Sequence, residues 1–415
     1  MESVEQLSTG RAAFAYPDFL FYQSARFLIV LATVMQSVAV GWQVYELTHR
    51  PLDLGFVGLA QFLPGVLLFL VAGHSADRYD RRKLLTACYG GFAACSALLF
   101  MISYRQIRSV GLIYLVLVGV GIVRSFNWPV SRAILPQLVP EEAFANAVAW
   151  NSGLLQAAVI CGPALGGLLY TAFRGASAVY MMAALVAIVA MILTVSISLR
   201  PATRVREPMT RRTVLAGFDY IWRNKLILGS ISLDLFAVLL GGAVALLPVY
   251  AKEILRTGPW GLGILRSAPG MGAGMMAIFL AHHPSRGRTG PTMLWAVAGF
   301  GVFTIIFGLS HNFMISVVAL VLLGASDMLS VIIRALLVQL GTPDEMRGRV
   351  NAVDMLFIGA SNELGEFESG LTAHWFGTVP AVVLGGIGTL VVIALWAWLF
   401  PEPRSADKMP ELSRS

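Results

Sequence analysis

The chain of 415 residues has few charged residues for its length, and this low charge limits the classes of protein to which it can belong. Charged residues make up 13% and hydrophobic residues 57% of the sequence, whereas a soluble domain carries about 25% charged residues. The net charge is +7, but a basic balance is ordinary in membrane proteins, whose cytoplasmic loops collect Lys and Arg. The composition therefore predicts an integral membrane protein that has no nucleic-acid partner.

Motifs of catalysis and metal binding are missing as well. The sequence has no Gly-x-x-x-x-Gly-Lys-[Ser/Thr] phosphate loop, no Gly-x-Ser-x-Gly nucleophile elbow and no His-Glu-x-x-His zinc pair. Its three cysteines, Cys88, Cys95 and Cys161, lack metal-ligand spacing, and their odd number argues against a disulfide framework. We therefore expect a protein that is not an enzyme and that carries neither a metal nor a cofactor.

Long apolar runs recur along the whole chain, and most of them approach the roughly 20 residues that a helix needs to cross a bilayer. They predict an all-α integral membrane fold with twelve transmembrane helices, at 19–45, 54–75, 83–103, 110–136, 143–172, 176–198, 226–251, 260–282, 289–309, 313–340, 348–374 and 379–400. An Arg-rich stretch separates two sets of six. The expected organisation is a cytoplasmic N-terminus 1–18, a first half 19–198, a linker 199–225 with an amphipathic helix, a second half 226–400 and a cytoplasmic tail 401–415.

The distribution of basic residues predicts the orientation. If both termini are cytoplasmic, only seven of the 30 Lys and Arg fall on the outer side, namely Arg50, Arg105, Arg108, Arg174, Lys252, Arg256 and Arg266. The positive-inside rule favours this arrangement. We expect a multi-pass membrane protein with both ends in the cytoplasm.

An internal repeat supports the division into two halves. Residues 131–138, Ser-Arg-Ala-Ile-Leu-Pro-Gln-Leu, match residues 333–340, Ile-Arg-Ala-Leu-Leu-Val-Gln-Leu. The match aligns Arg132 with Arg334, and it continues through Asn146-Ala-Val and Asn351-Ala-Val. Two copies of a membrane unit, related by pseudo-symmetry, are typical of transporters.

The basic turn at residues 73–83 gives the chain a family resemblance. Its pattern Gly-x-x-x-Asp-Arg-x-x-Arg-Arg-Lys resembles the loop between helices 2 and 3 of the major facilitator superfamily. Asp80 stands where the family usually has glycine, and this variant resembles the branch that contains the enterobactin exporter and related multidrug efflux proteins. The resemblance implies alternating access in a two-half fold in the bacterial inner membrane, with the proton gradient as the energy source and no cofactor. It also implies a monomer, and a siderophore, drug or other amphipathic small molecule as substrate.

The resemblance also implies residues that act in gating. Asp77 is expected to accept hydrogen bonds from the start of the eleventh predicted span, 348–374, and Arg81 is expected to pair with an acid. Alternatively, the same loop could serve only as a topology anchor. The segment from 162 to 167 resembles the end of the antiporter signature, with alanine at 149 and 158 where the signature expects glycine. The expected gating set is Gly73, Asp77, Arg78, Arg81, Arg82, Gly162, Pro163, Gly166 and Gly167.

Ionisable residues inside spans are candidates for proton coupling or substrate binding, because charge at membrane depth is costly. The set is Arg26, Arg124, Asp234, Asp327, Glu363 and Glu366. A fixed salt bridge within one half is the alternative for Arg124, Asp234 and Asp327. The two glutamates share a helix face with Glu368 close by, and pairing with Arg266 or His374 is their alternative. Phe126 and Trp128 are predicted to line a cavity.

The sequence leaves two other functions open. A lysophospholipid flippase or a uniporter-type importer would have the same fold. A membrane protein that transports nothing, such as a receptor, a scaffold or an integral-membrane enzyme, would be expected to carry extra-membrane domains or clustered His and Asp in loops. The sequence offers neither.

Overall fold

A computed structural model of the chain describes residues 10–198, 211–283 and 289–399. Every regular element in these ranges is helical, which confirms the predicted all-α fold. The first six long helices are α1 Pro17–Thr48, α2 Pro51–Arg78, α3 Arg81–Tyr104, α4 Val110–Ile134, α5 Glu141–Ala172 and α6 Ala176–Val195. They are followed by α7 Arg211–Arg223, α8 Lys225–Leu240, α9 Gly258–His282, α10 Thr289–Leu309, α11 Phe313–Gly341, α12 Asp344–Phe376 and α13 Thr378–Leu399.

Each of the twelve predicted spans corresponds to helical structure, and in the described residues eleven are long and apolar enough to cross a membrane. The exception is α12, the predicted span 348–374, which is 33 residues long. It carries four acids in its central part, namely Asp354, Glu363, Glu366 and Glu368. The predicted span that deviates most from an apolar composition therefore carries two of the candidate proton-coupling residues, Glu363 and Glu366.

The seventh predicted span, 226–251, is not the continuous helix that its hydropathy suggests. Helix α8 ends at Leu240, and after Gly241 and Gly242 the chain continues through short turns, Ala243–Leu246, Leu247–Val249 and the π-type Tyr250–Ile254. A Cβ atom on Gly242 would lie 2.5 Å from the carbonyl oxygen of Gly365 in α12. Glycine is therefore required at the break, because the backbone of α12 passes directly beside it.

The described residues form two compact units, one of residues 10–43 and 63–198 and the other of residues 44–62 and 211–399. The end of α1 and the start of α2 thus belong to the second unit, unlike in the predicted division at 199–225. Close packing within this unit explains the grouping: a Cβ on Gly370 would lie 3.0 Å from the Gly55 backbone, and one on Gly55 would lie 3.1 Å from the backbone of Phe367. The Tyr45 hydroxyl also donates a hydrogen bond to Glu253.

Helix α7 packs against the end of α11 and the beginning of α12 in the second unit. The Tyr220 hydroxyl donates a 2.9 Å hydrogen bond to the carbonyl of Gly341, at the end of α11. A Cβ on Gly217 would lie 2.6 Å from the carbonyl oxygen of Arg349. Phe218 and Trp222 stack on each other and remain exposed, as expected of an amphipathic helix at a membrane surface.

In the first unit, small residues of α5 let this helix lie directly against α1. A Cβ on Gly166 would lie 2.6 Å from the carbonyl oxygen of Met35, and one on Gly162 would lie 3.3 Å from that of Leu31. Pro163 and Gly167 are buried in the same stretch. Close approach of two backbones requires this composition in a membrane.

We predict that Gly166→Ala destabilises the protein by about 1–3 kcal/mol, because the new methyl group meets rigid backbone atoms of α1. The matched control is Gly153→Ala in the same helix, where nothing lies within 4 Å of the new atom. The control should be neutral or slightly stabilising, since alanine favours helix over glycine. Thermal unfolding of both variants in detergent micelles measures the difference, and equal stability of the two would contradict the packing account.

Candidate functional site

A buried ionic network joins three helices of the second unit. Arg334 of α11 is only 3% exposed. Its Nη1 lies 3.0 Å from Oδ2 of Asp234 in α8 and 3.2 Å from Oδ1 of Asp354 in α12. One guanidinium therefore serves two carboxylates, and removing it would leave both acids in an apolar environment.

Asp327 is the third acid of this network. It lies seven residues before Arg334 on α11, hence on the same helix face and about 10 Å along the axis. Its carboxylate interacts electrostatically with Asp234 and Arg334, but in the described part of the chain it forms neither an ion pair nor a hydrogen bond. Three carboxylates thus lie around one guanidinium, and full ionisation would leave the network two negative charges in excess. Asp234 is buried, whereas Asp327 and Asp354 are half-buried. An excess charge in this partly enclosed setting is costly unless a proton is bound.

Sequence reasoning found only half of this network. Asp234 and Asp327 were predicted as candidates, and the structure places them together. Arg334 and Asp354 were not predicted, although both fall inside predicted spans, at 313–340 and 348–374. The rule that singles out ionisable residues inside spans would have found both.

A second group of acids lies farther along α12. Arg266 of α9 is half-buried and interacts electrostatically with Glu366 and Glu363, so these glutamates lie beside the basic residue that the sequence offered as their partner. Glu368 accepts a 2.6 Å hydrogen bond from Thr372. Twelve residues separate Asp354 from Glu366, which corresponds to about 18 Å along the helix. The second unit thus contains two charged groups at different depths.

The charged residues inside the spans of the first unit are all basic. Arg26 donates from Nη1 to the Tyr22 hydroxyl at 2.9 Å, and that hydroxyl donates to the carbonyl of Ser131 at 2.7 Å. The guanidinium of Arg132 lies 4.5 Å from the ring centroid of Trp128. The remaining predicted residues of α4 differ in exposure: Arg124 is exposed and Phe126 is half-buried.

The basic turn at 73–83 forms hydrogen bonds with the ends of two other helices in the first unit. Asp80, the residue that departs from the family pattern, caps α3 by accepting hydrogen bonds from the backbone of residues 82 and 83. Arg81 donates to the carbonyl of Ala133 and Arg82 to that of Ile197, each at 3.0 Å. These carbonyls lie at the carboxyl-terminal ends of α4 and α6, where the negative end of the helix dipole favours a cation.

Other members of the predicted gating set are located but their role is not tested. Gly73 is buried and Arg78 is exposed. The side chain of Asp77 lies outside the described part of the structure. A gating role for these residues stays a prediction.

Comparisons with known proteins agree with this architecture. The model of a family described as transmembrane secretion effector matches residues 9–413. The chain is 27% identical over 381 residues to the enterobactin exporters EntS of Shigella boydii serotype 18 and Escherichia coli O139:H28, covering 91% of this chain and 86% of each relative. Among solved structures, a bacterial homolog of the human lysosomal transporter Spinster has a TM-score of 0.76 at 13% identity, covering 94% of this chain and 98% of the homolog. The nucleoside transporter NupG has a TM-score of 0.70 at 14% identity, covering 92% and 99%.

The shared guanidinium predicts a large effect of Arg334→Met on stability. The variant leaves the buried Asp234 and the half-buried Asp354 without their cation, which should cost about 3–5 kcal/mol at neutral pH. Acidic pH should reduce the loss, because protonated carboxyls no longer need the guanidinium. Thermal unfolding between pH 5 and pH 8 checks both statements.

The control is Arg223→Met in α7. Arg223 pairs with Asp219 at 3.0 Å, but both side chains are largely exposed, so its removal should change stability by no more than about 1 kcal/mol. A loss for Arg334→Met that is no larger than the control, or that does not depend on pH, would contradict the assignment.

Proposed function

Because the chain belongs to the transmembrane secretion effector family of the major facilitator superfamily, we propose that it is a proton-coupled exporter of an amphipathic small molecule. The substrate is a siderophore or a drug-like compound, and the protein acts in the bacterial inner membrane with both termini inside. The curated relatives named as enterobactin exporters support export of a siderophore-like molecule, since their similarity extends over most of both chains. The proton gradient is the energy source, and no cofactor takes part.

The observation that carries the proposal is the acid excess around Arg334. In a soluble protein such a group could be relieved by water, but a membrane-spanning bundle offers little of it. Binding a proton is then the simplest way to remove one of the excess charges. A site that binds a proton when enclosed and releases it when wetted supplies the chemistry that an antiporter needs.

We assign the carrier role to Asp327. Asp234 and Asp354 are held by Arg334 at 3.0 and 3.2 Å, whereas Asp327 has no ion-pair partner in the described residues. Protonation of Asp327 therefore removes charge without breaking a buried ion pair. Arg334 holds α8, α11 and α12 together, so a change of charge on α11 acts on three helices at once.

The acids near Arg266 have a different role in this proposal. Glu366 packs against α2, since a Cβ on Gly58 would lie 2.8 Å from its Oε2 atom. Glu363 and Glu366 thus lie where α2 and α12 approach each other, and we assign them to the opening of this contact or to a cationic group of the substrate. The two acid groups can be separated by mutation.

Proton movement in proteoliposomes tests the proposal. The full chain is reconstituted with a trapped pH indicator, and a panel of siderophores and cationic drugs is added. We expect a substrate to trigger proton movement in the wild type. Asp327→Asn should reduce proton movement by about tenfold or more, while exchange of labelled substrate across the membrane in the absence of a gradient continues.

Three comparisons make the outcome decisive. Asp219→Asn, an exposed acid of α7, should behave as the wild type. Glu366→Gln should impair substrate exchange together with proton movement, which distinguishes the two acid groups. Substrate transport in the wild type without any proton movement would overturn proton coupling, and unchanged proton movement in Asp327→Asn would overturn the assigned carrier.

A further inference from the structure

We propose that the first unit contains a binding site for an oxyanion, built from Arg26, Arg132, Tyr89 and Gln23. A carboxylate, phosphate or phenolate group of the transported molecule would fit this site. The residues come from α1, α3 and α4, all within one unit. Substrate recognition would then belong to the first unit and proton binding to the second.

The pseudo-symmetry of the chain first points to the site. Arg132 aligns with Arg334 in the internal repeat, and Arg26 and Asp234 are each the tenth residue of their helix, α1 and α8. In the second unit this position holds the acid that pairs with the arginine at 3.0 Å. In the first unit it holds a second arginine. The equivalent place therefore has two cations where its counterpart has an ion pair.

The two guanidinium groups are close enough to interact electrostatically. Arg26 donates to the Tyr22 hydroxyl, which fixes its direction, and it forms no ion pair with a carboxylate in the described residues. Every acid between residues 17 and 198 lies within two residues of a helix end, so none stands inside a span beside Arg26. Arg132 lies two residues before the end of α4, and its guanidinium, close to that of Arg26, favours an anionic ligand.

Two buried polar atoms beside Arg26 give an independent indication of a ligand. The Tyr89 hydroxyl and Oε1 of Gln23 have no hydrogen-bond partner in the described structure. Tyr89 is 0% and Gln23 is 2% exposed, and Tyr89 lies near both Tyr22 and Arg26. An unsatisfied buried polar group is costly. A ligand oxygen that accepts from Tyr89 would satisfy its hydroxyl, and a ligand hydroxyl could donate to Gln23.

The site is buried on one side and exposed on the other. Tyr22, Gln23 and Tyr89 are buried, Arg26 is half-buried, and Arg132 and Trp128 are exposed. The indole of Trp128 lies under the Arg132 guanidinium. A flat aromatic group that carries an oxyanion could therefore stack on the indole and place its charge toward the arginines. This chemistry defines the probe for the test.

The test compares 2-naphthoate with 2-naphthamide, two molecules of nearly equal shape that differ in one negative charge. Equilibrium binding is measured with the full chain in lipid nanodiscs. We expect the acid to bind about tenfold more tightly than the amide. Arg26→Gln should remove this preference, because the amide does not need the guanidinium.

Tyr89→Phe separates ligand binding from folding. Its hydroxyl is buried without a partner in the described residues, so its loss should leave the unfolding temperature unchanged or raise it, while binding of 2-naphthoate weakens about threefold. The control is Tyr180→Phe, another fully buried tyrosine, whose hydroxyl donates to Gln43 at 2.7 Å. The control should lower the unfolding temperature and leave the affinity for 2-naphthoate unchanged.

The lipid of the nanodisc identifies the source of the oxyanion. If the site serves the transported molecule, affinity for 2-naphthoate is the same in phosphatidylcholine and phosphatidylglycerol. If it holds the headgroup of an anionic lipid, phosphatidylglycerol competes with the probe, and Arg26→Gln abolishes the competition. Either result keeps the oxyanion site and distinguishes the transported molecule from an anionic lipid as its source of charge.

Equal binding of acid and amide, or no binding of either, would overturn the proposal, as would an unchanged affinity for 2-naphthoate in both Arg26→Gln and Tyr89→Phe. The assignment to the transported molecule rests on the proposed export function. Equilibrium binding needs no proton gradient, however, so a negative result here is distinct from a loss of proton coupling in proteoliposomes.

Discussion

An ionisable side chain within a bilayer needs a counter-charge, a proton or water, and this requirement governs how the two units distribute their charge. The second unit meets it with Arg334, whose guanidinium holds Asp234 and Asp354. The first unit has arginines inside its spans and acids only at helix ends. The same repeated framework thus carries an acid excess in one unit and a basic excess in the other, and this asymmetry supports a separation of proton binding from substrate binding.

Helix α12 connects charge with packing. Asp354 and Glu366 lie about 18 Å apart along its axis, and its glycines let neighbouring backbones approach closely. Gly365 lies beside the break after α8, and Gly370 lies beside Gly55 of α2. Tight contacts of this kind have little tolerance for small shifts, because rigid backbone atoms rather than flexible side chains are in contact. A change of charge on α12 or on its neighbour α11 therefore acts on contacts that cannot adapt gradually.

Much of the fold could be predicted from the sequence because hydropathy and helix length are local properties. The twelve spans follow from apolar runs, and α12 was recognised despite its four acids. The break at Gly241 and Gly242 could not be predicted, since an apolar run looks the same whether or not a neighbouring backbone passes beside it. The grouping of residues 44–62 with the second unit has the same origin, because sequence patterns do not identify the partner of a glycine.

The site was predicted less completely than the fold. Asp234 and Asp327 could be found because a charge inside a span is conspicuous, and Arg334 and Asp354 satisfied the same rule without being recognised. Their pairing depends on the relative rotation of three helices, which composition does not encode. The unsatisfied hydroxyl of Tyr89 is beyond sequence reasoning altogether, because a buried tyrosine is ordinary until its missing partner is observed.

The central claim is that the acid network around Arg334 holds an exchangeable proton on Asp327. Infrared difference spectroscopy of the purified chain in lipid tests it most directly, because a protonated carboxyl group has a carbonyl absorption that a carboxylate lacks. The account predicts this absorption at neutral pH, its shift in deuterated buffer, and its loss in Asp327→Asn. Absence of the absorption in the wild type, or its persistence unchanged in Asp327→Asn, would contradict the claim.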